Sequence, residues 1–193
     1  YLHDEQKLWD QLFLSAGVRL DYNSLTPFTV SPRGAVVWKF LPDHLLRVSA
    51  GQAFQKPTFF NTSAHITGVE PSGVAPNLDE FFLNSIGNEN VGNEKLTAVE
   101  LGYRGSLADG SLVLEFNGFF HLAEDPINFI FDLKYNNLGF PDLRPDDGGQ
   151  LRFQTEDFDL RTFGGSVALT WHPLAELRLA ANYTYRRTIY HGD

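Results

Sequence analysis

Histidines and clustered carboxylates are the side chains in this sequence most able to do chemistry. The histidines are scattered without the spacing of metal ligands; they are His3, His44, His65, His121, His172 and His191. Asp142, Asp146 and Asp147 could meet a calcium ion, although a hydrated acidic loop tip is the commoner meaning of such a run. No phosphate-binding glycine loop, nucleophile elbow or zinc-protease motif is present. We therefore predict no catalytic residue, no metal site, no cofactor and no enzymatic activity.

Composition narrows the class of protein further. The 193 residues carry a formal net charge of −9, which argues against a nucleic-acid partner. With no cysteine, the chain has neither a disulfide scaffold nor a zinc–thiolate site. It has no apolar run of about 18 residues, so we predict no transmembrane helix. Because it begins at Tyr1 and contains no methionine, we expect residues 1–193 to be one partial domain of a longer protein.

Apolar and polar residues alternate along most of the chain. In residues 12–22, Leu14 and Leu20 fall on one face of a strand and Arg19 falls on the other. The same period of two recurs in residues 30–40, 98–104, 111–120, 165–171 and 177–185, with residues 1–9 a weaker case. Strict alternation predicts strands with one apolar and one polar face. The sequence therefore predicts an all-β fold of about eight strands.

The connections between these strands alternate in length. Short ones lie at 10–11, 41–44, 107–110 and 172–176, and longer ones at 23–27, about 55–96 and about 123–159. In an up-and-down antiparallel meander, alternate connections lie at the same end of the sheet. Tight turns at one end and long loops at the other are typical of outer-membrane barrels, whose turns are periplasmic and whose loops are extracellular.

The aromatic residues support a membrane location. Three tryptophans fall at the short-turn end, where we predict a periplasmic aromatic belt: Trp9, Trp38 and Trp171. Tyr22, Phe28, Phe54 and Tyr185 fall toward the other end. A bilayer favours two such bands separated by aliphatic residues, because amphipathic rings prefer the interface. The alternative is three core tryptophans placed by chance.

We therefore predict that the apolar face contacts lipid and that the polar face lines a hydrated interior. Charges recur on the polar face of most strands, where a dry core would make them costly. The predicted lumen-facing residues are Arg19, Arg33, Lys39, Arg47, Glu100, Arg104, Glu115, Asn117, Arg178 and Asn182. A soluble sheet or sandwich with this face in water also accounts for the alternation, but not for the loop asymmetry or the tryptophans.

Three regions of the chain resemble the β-barrel of TonB-dependent outer-membrane receptors. YLHDE at 1–5 with LSAGVRLDY at 14–22 is similar to one strand pair of that family. SPR at 31–33 with LRVSAGQAFQKPT at 46–58 is similar to a family hairpin, and GNENVGNEK at 87–95 leading into VELGY at 99–103 is similar to the next strand. Gln55 stands where the family often has arginine, and Asn90 and Gly92-Asn93 replace family prolines.

The resemblance implies a transmembrane barrel of roughly 22 strands around a plug domain, of which this chain would supply about eight. It implies active import of a scarce nutrient, such as an iron–siderophore or cobalamin, across the outer membrane of a Gram-negative bacterium. The implied partners are the lipid bilayer, the plug, the TonB complex through a short box, and a metal chelate or vitamin. In this family ligands meet the extracellular loops, so we single out Phe59, Phe60, His65, Phe81 and Phe82.

Two other function classes remain open. A small closed barrel of eight strands, serving as an adhesin or anchor without transport, requires the first and last strands to pair. A soluble β-sandwich that binds carbohydrate requires good solubility without detergent. The phenylalanines of the first long loop also have an alternative role, in which they pack that loop onto itself and do not contact a ligand.

Overall fold

The computed structural model describes residues 1–23, 26–66, 85–132, 134–135, 141–142 and 150–192. The elements in chain order are β1 (Leu2–Trp9), β2 (Leu12–Asn23), β3 (Thr26–Leu41), β4 (His44–Gln55), α1 (Phe59–Thr62), β5 (His65–Ile66), β6 (Ser85–Ile86), β7 (Glu94–Leu107), β8 (Leu112–Glu124), β9 (Ile127–Asp132), β10 (Lys134–Tyr135), β11 (Pro141–Asp142), β12 (Gln150–Thr155), β13 (Phe158–Leu174) and β14 (Leu177–Gly192). Within these ranges no helix is long and apolar enough to cross a lipid bilayer.

Eight of the strands form one antiparallel sheet in the order β1-β2-β3-β4-β7-β8-β13-β14. Neighbours in the sheet are also consecutive among the long strands of the chain, which confirms the predicted all-β, up-and-down arrangement. Strands β1 and β14 form the two edges, and no pairing joins them in the described part of the chain. The sheet is therefore open and does not close into a barrel of eight strands.

The predicted alternation of short and long connections holds except between β2 and β3. Turns at 10–11, 42–43, 108–111 and 175–176 lie at one end of the sheet, and the connections at 56–93 and 125–157 are long as predicted. The longer connection predicted at 23–27 is reduced to residues 24–25, because Asn23 of β2 pairs with Thr26 of β3. The strands themselves are longer than the alternation indicates: β3 covers Thr26–Leu41 and β13 covers Phe158–Leu174. Backbone pairing continues past the last regularly alternating residue, because polar side chains near a strand end do not interrupt the hydrogen-bond ladder.

The strand register separates two faces of the sheet, since directly paired residues point to the same side. The apolar face contains the row Leu14, Val36, Val48 and Leu101 across four neighbouring strands. The polar face contains the adjacent row Ser15, Ala35, Ser49 and Glu100. Below, "apolar face" and "polar face" mean all residues in register with Leu14 and with Ser15, respectively.

The apolar face is not packed into a core. Among the described residues, the buried hydrophobic side chains are Val91 and Phe153, and both lie in the long connections. On the apolar face, by contrast, Phe116 is 40% exposed and Leu179 is 45% exposed. An exposed, mainly apolar surface runs across the seven strands from β2 to β14, whereas β1 places Asp4 and Gln6 on this face, opposite Ala16 and Leu14. A surface of this extent marks a site of contact with a membrane or a partner.

Pro32 lies within β3, where its missing N–H would ordinarily weaken a sheet. The pairing between β3 and β4 ends at Arg33 and Gly51, one residue before Pro32. The proline therefore lies where the pairing between β3 and β4 stops, while Pro32 stays paired with Val18 of β2 and β4 continues to Gln55 in pairing with β7.

Candidate interior wall and ligand site

The register brings the predicted lumen-facing residues onto the polar face. Paired rows place these residues there: Arg19, Arg33, Arg47, Glu100, Arg104, Glu115, Asn117 and Asn182. Lys39 lies beside a register irregularity, but its Nζ sits 5.0 Å from the centre of the Phe13 ring on this face. Arg178 lines a recess together with Arg104 and Glu115. The residues that the sequence pattern predicts as lumen-facing therefore lie on one side of the sheet.

Several polar-face residues interact with one another. Arg104 Nη1 lies 3.4 Å from Glu115 Oε1 across β7 and β8. Glu100 accepts a hydrogen bond from Ser49 Oγ at 3.4 Å, and its carboxylate lies 3.8 Å from His121 Nε2. These side chains are partly exposed, so each contact is a weak, hydrated interaction. The charged side chains of the polar face are therefore stabilised more by water than by ion pairs with one another.

Two ring-bearing residues on this face were not among the lumen-facing residues predicted from the sequence. The rings of Phe119 and His121 stack with their centroids 5.2 Å apart and an interplanar angle of 30°. They share the register of Glu115 and Asn117 along β8. The alternation within 111–120, extended by one residue, was the signal that could have found them.

The three tryptophans lie beside the short turns. Trp9 and Trp38 both pair with Leu12, and Trp171 pairs with Leu112 and Leu179. All three belong to the apolar face and are exposed, with Trp9 at 68%, Trp38 at 48% and Trp171 at 44%. Indole groups exposed at one end of an apolar surface match the preference of tryptophan for a membrane interface.

The two long connections join at the other end of the sheet. A second sheet combines them in the order β5-β6-β12-β9, with β6 parallel to β12. Asn88 Nδ2 donates to the Phe153 carbonyl at 2.9 Å, and Gly92 N donates to Thr155 Oγ1 at 2.7 Å. We call the described residues 56–66, 85–93, 125–132 and 150–157 the loop unit. The connections predicted from the sequence as loops thus contain strands that pair with each other.

A small apolar cluster holds the loop unit together. Phe153 is 9% exposed and meets Phe60 edge-on, with ring centroids 5.4 Å apart. Helix α1 begins with a capping box in which Thr58 and Asn61 exchange hydrogen bonds. Phe60 therefore packs against the other long connection, whereas the sequence alternative had the first loop packing onto itself. Phe59, at the start of the helix, remains 70% exposed.

The remaining sequence candidates lie wholly or partly outside the described residues. Phe81 and Phe82 fall outside them, as do Asp146 and Asp147. The backbone of His65 belongs to β5 and that of Asp142 to β11, and their side chains are not described. Within the described ranges, no group of three or more His, Cys, Asp or Glu residues could hold a metal ion.

This arrangement can separate two environments. One face is apolar and suits hydrocarbon, while the other carries guanidinium, carboxylate, amide and hydroxyl groups that bind water and polar solutes. An exposed aromatic ring and a folded loop unit lie at the end opposite the tryptophans.

Comparison with known proteins supports the same architecture. The family model described as "TonB dependent receptor-like, beta-barrel" matches residues 1–193. No curated protein matches the chain in sequence.

Solved structures with a similar fold include three receptors. The siderophore receptor PirA from Pseudomonas aeruginosa aligns with a TM-score of 0.72 and 17% identity, covering 96% of this chain and 30% of PirA. A variant of the ferric enterobactin receptor PfeA from the same organism aligns with a TM-score of 0.72 and 16% identity, covering 95% of this chain and 25% of PfeA. The alcaligin receptor FauA from Bordetella pertussis aligns with a TM-score of 0.56 and 13% identity, covering 96% of this chain and 29% of FauA. This chain therefore spans less than a third of the length of each.

Proposed function

Because this chain belongs to the TonB-dependent receptor β-barrel family, we propose that it forms part of the wall of an outer-membrane transporter for a scarce nutrient. The observation that carries the proposal is the division of the sheet into two faces. The apolar face remains exposed on the seven strands from β2 to β14, and the opposite face is polar. A soluble sandwich buries its apolar face, whereas a membrane barrel turns it toward lipid.

The polar face then lines the barrel interior. Its guanidinium, carboxylate and amide groups hydrate the wall and offer polar contacts to a plug domain. The short turns lie on the periplasmic side, and the three tryptophans form the belt at that interface. The loop unit lies at the extracellular mouth, which places Phe59 and Phe60 where an arriving ligand would meet the receptor.

The cargo class we propose is an iron–siderophore, with cobalamin or another scarce nutrient as the alternative. The similar receptors are described as binding siderophores, ferric enterobactin or alcaligin. An aromatic side chain as exposed as Phe59 offers a flat surface for stacking on the planar groups of a chelate. Energy for release into the periplasm comes from the TonB complex.

Uptake by the full-length receptor tests the proposal. Cells that carry the receptor as their only siderophore transporter are given radiolabelled iron bound to different siderophores, and labelled cobalamin in parallel. We expect accumulation of at least one of these cargoes, and we expect it to stop when TonB is deleted. A receptor that accumulates none of these cargoes, or that accumulates cargo equally well without TonB, contradicts the proposal.

A further inference from the structure

Arg33 and Arg47 stand out on the polar face because no described acidic group neutralises them. Both side chains are exposed and line one recess, the arginine recess, together with Ser49 and Glu100. Within the described residues, neither arginine has a hydrogen-bond or ion-pair partner from its side chain, and Arg33 Cζ lies 5.0 Å from the centroid of the Tyr1 ring. Other unpaired arginines, such as Arg178 and Arg186, lie on the edge strand β14.

The neighbouring carboxylate forms no ion pair with either arginine. Glu100 lines the same recess, but its contacts are with Ser49 and His121. Ion pairing across strands is available to this wall, as Arg104 and Glu115 demonstrate. The guanidinium groups of Arg33 and Arg47 therefore remain available in the arginine recess. A guanidinium can donate two parallel hydrogen bonds to one carboxylate.

Glycine makes room for one of these arginines. Arg33 pairs with Gly17 on one side and Gly51 on the other. A Cβ atom on Gly17 would lie 3.3 Å from Arg33 Nε, and one on Gly51 would lie 3.2 Å from Arg33 Cβ. The Arg33 side chain thus lies in a furrow between two glycines. Apart from His3 and Glu100, the other side chains that line the recess are small, including Ser15, Ala35, Ser49 and Ala98.

We propose that the arginine recess binds an acidic side chain of the plug domain that occupies the barrel interior. This inference rests on the proposed function, since it requires an interior domain. The small residues of the floor favour a polypeptide over a bulky chelate, because they allow a backbone to approach the wall closely. A carboxylate on that segment completes the hydrogen bonding of Arg33 and Arg47.

The test uses the full-length receptor without cargo. Arg33→Gln and Arg47→Gln keep much of the side-chain length and remove the charge. We expect each to lower the thermal midpoint by several degrees, and we expect Arg33→Lys and Arg47→Lys to lower it less. Arg186→Gln, which removes a guanidinium from the same face outside the recess, is the matched control and should leave the midpoint close to wild type.

Cargo affinity is measured on the same variants to separate the two possible sources of a carboxylate. The proposal expects the unliganded midpoint to fall. It is overturned if both glutamine variants match Arg186→Gln, or if they change only the affinity for a carboxylate-bearing chelate. Continued uptake by the wild type and by Arg186→Gln would leave the transport function intact in either case.

Discussion

The His44 imidazole and the Tyr103 hydroxyl are hydrogen-bonded on the apolar face, with His44 Nδ1 and the phenolic oxygen 2.8 Å apart. Tyr103 reaches His44 by lying over Gly105, which pairs with His44 in the sheet. A Cβ atom on Gly105 would collide with the Tyr103 hydroxyl and lie 2.6 Å from His44 Nδ1. The glycine therefore allows two polar groups to satisfy each other beside the short turns, on a face that otherwise suits lipid.

Gly105→Ala should break this hydrogen bond. We expect a loss of about 1–3 kcal/mol in the free energy of unfolding, because both polar groups then lack a partner at the membrane surface. Urea unfolding of the receptor in bilayers measures the change. Gly34→Ala is the matched control on the apolar face, since its Cβ atom would meet no atom closer than 3.5 Å. Equal losses in the two variants would contradict the role assigned to Gly105.

Charge placement should reveal the two faces at mid-strand. Val167 belongs to the apolar face of β13 and pairs with Phe116, while Ser166 belongs to the polar face and pairs with Asn117. Val167→Arg should cost about 2–4 kcal/mol if it enters hydrocarbon near the membrane centre, and Ser166→Arg should cost far less. Folding of each variant into bilayers at increasing urea measures both. A larger cost at Ser166 would contradict the assignment of the faces.

Phe153 should hold the two long connections together. Phe153→Ala removes the contact with Phe60 and opens the cluster that buries Phe153. We expect faster proteolysis at sites in both connections, 56–93 and 125–157, because each is fixed through the other. Phe59→Ala, at a 70% exposed position, is the control and should leave the cleavage rates unchanged. Cleavage confined to 125–157 would show that the connections are independent.

Trp38 should anchor the sheet at an interface. Trp38→Ala is expected to lower the thermal midpoint in bilayers, and Trp38→Tyr should recover much of the loss because tyrosine is also an amphipathic ring. The same pair in detergent, which lacks a defined interface, should differ less. A Trp38→Tyr variant no more stable than Trp38→Ala would contradict the belt.

Much of the sheet could be predicted from the sequence because its signal is local. Apolar and polar residues alternate with a period of two within the strands, and tight turns such as Pro42-Asp43 mark the hairpins. The polar face followed directly from the same alternation, which is why Arg33, Glu100 and Asn117 were found.

The loop unit could not be predicted because its contacts are not local. Asn88 and Phe153 are separated by 65 residues, and the two-residue strand β6 carries no periodic pattern. The pairing of Phe60 with Phe153 depends on where the main sheet brings the two connections, and no motif in either segment specifies it. For the same reason, the sequence could not show that Arg33 and Arg47 lack an ion-pair partner. The absence of a partner is visible only when the surroundings of both side chains are known.

A site-directed spin-label scan of residues 112–119 in β8 tests the central claim most directly. Residues 1–193 contain no cysteine. Any cysteine elsewhere in the full-length receptor is first replaced by serine, so that each introduced cysteine marks one position of this segment in bilayers. We predict that collisions with oxygen, which concentrates in lipid, peak at Leu112, Leu114, Phe116 and Gly118. Collisions with a water-soluble nickel chelate should be relatively stronger at Val113, Glu115, Asn117 and Phe119. An oscillation of opposite phase, or none, would contradict an apolar face in lipid and a polar face toward the interior.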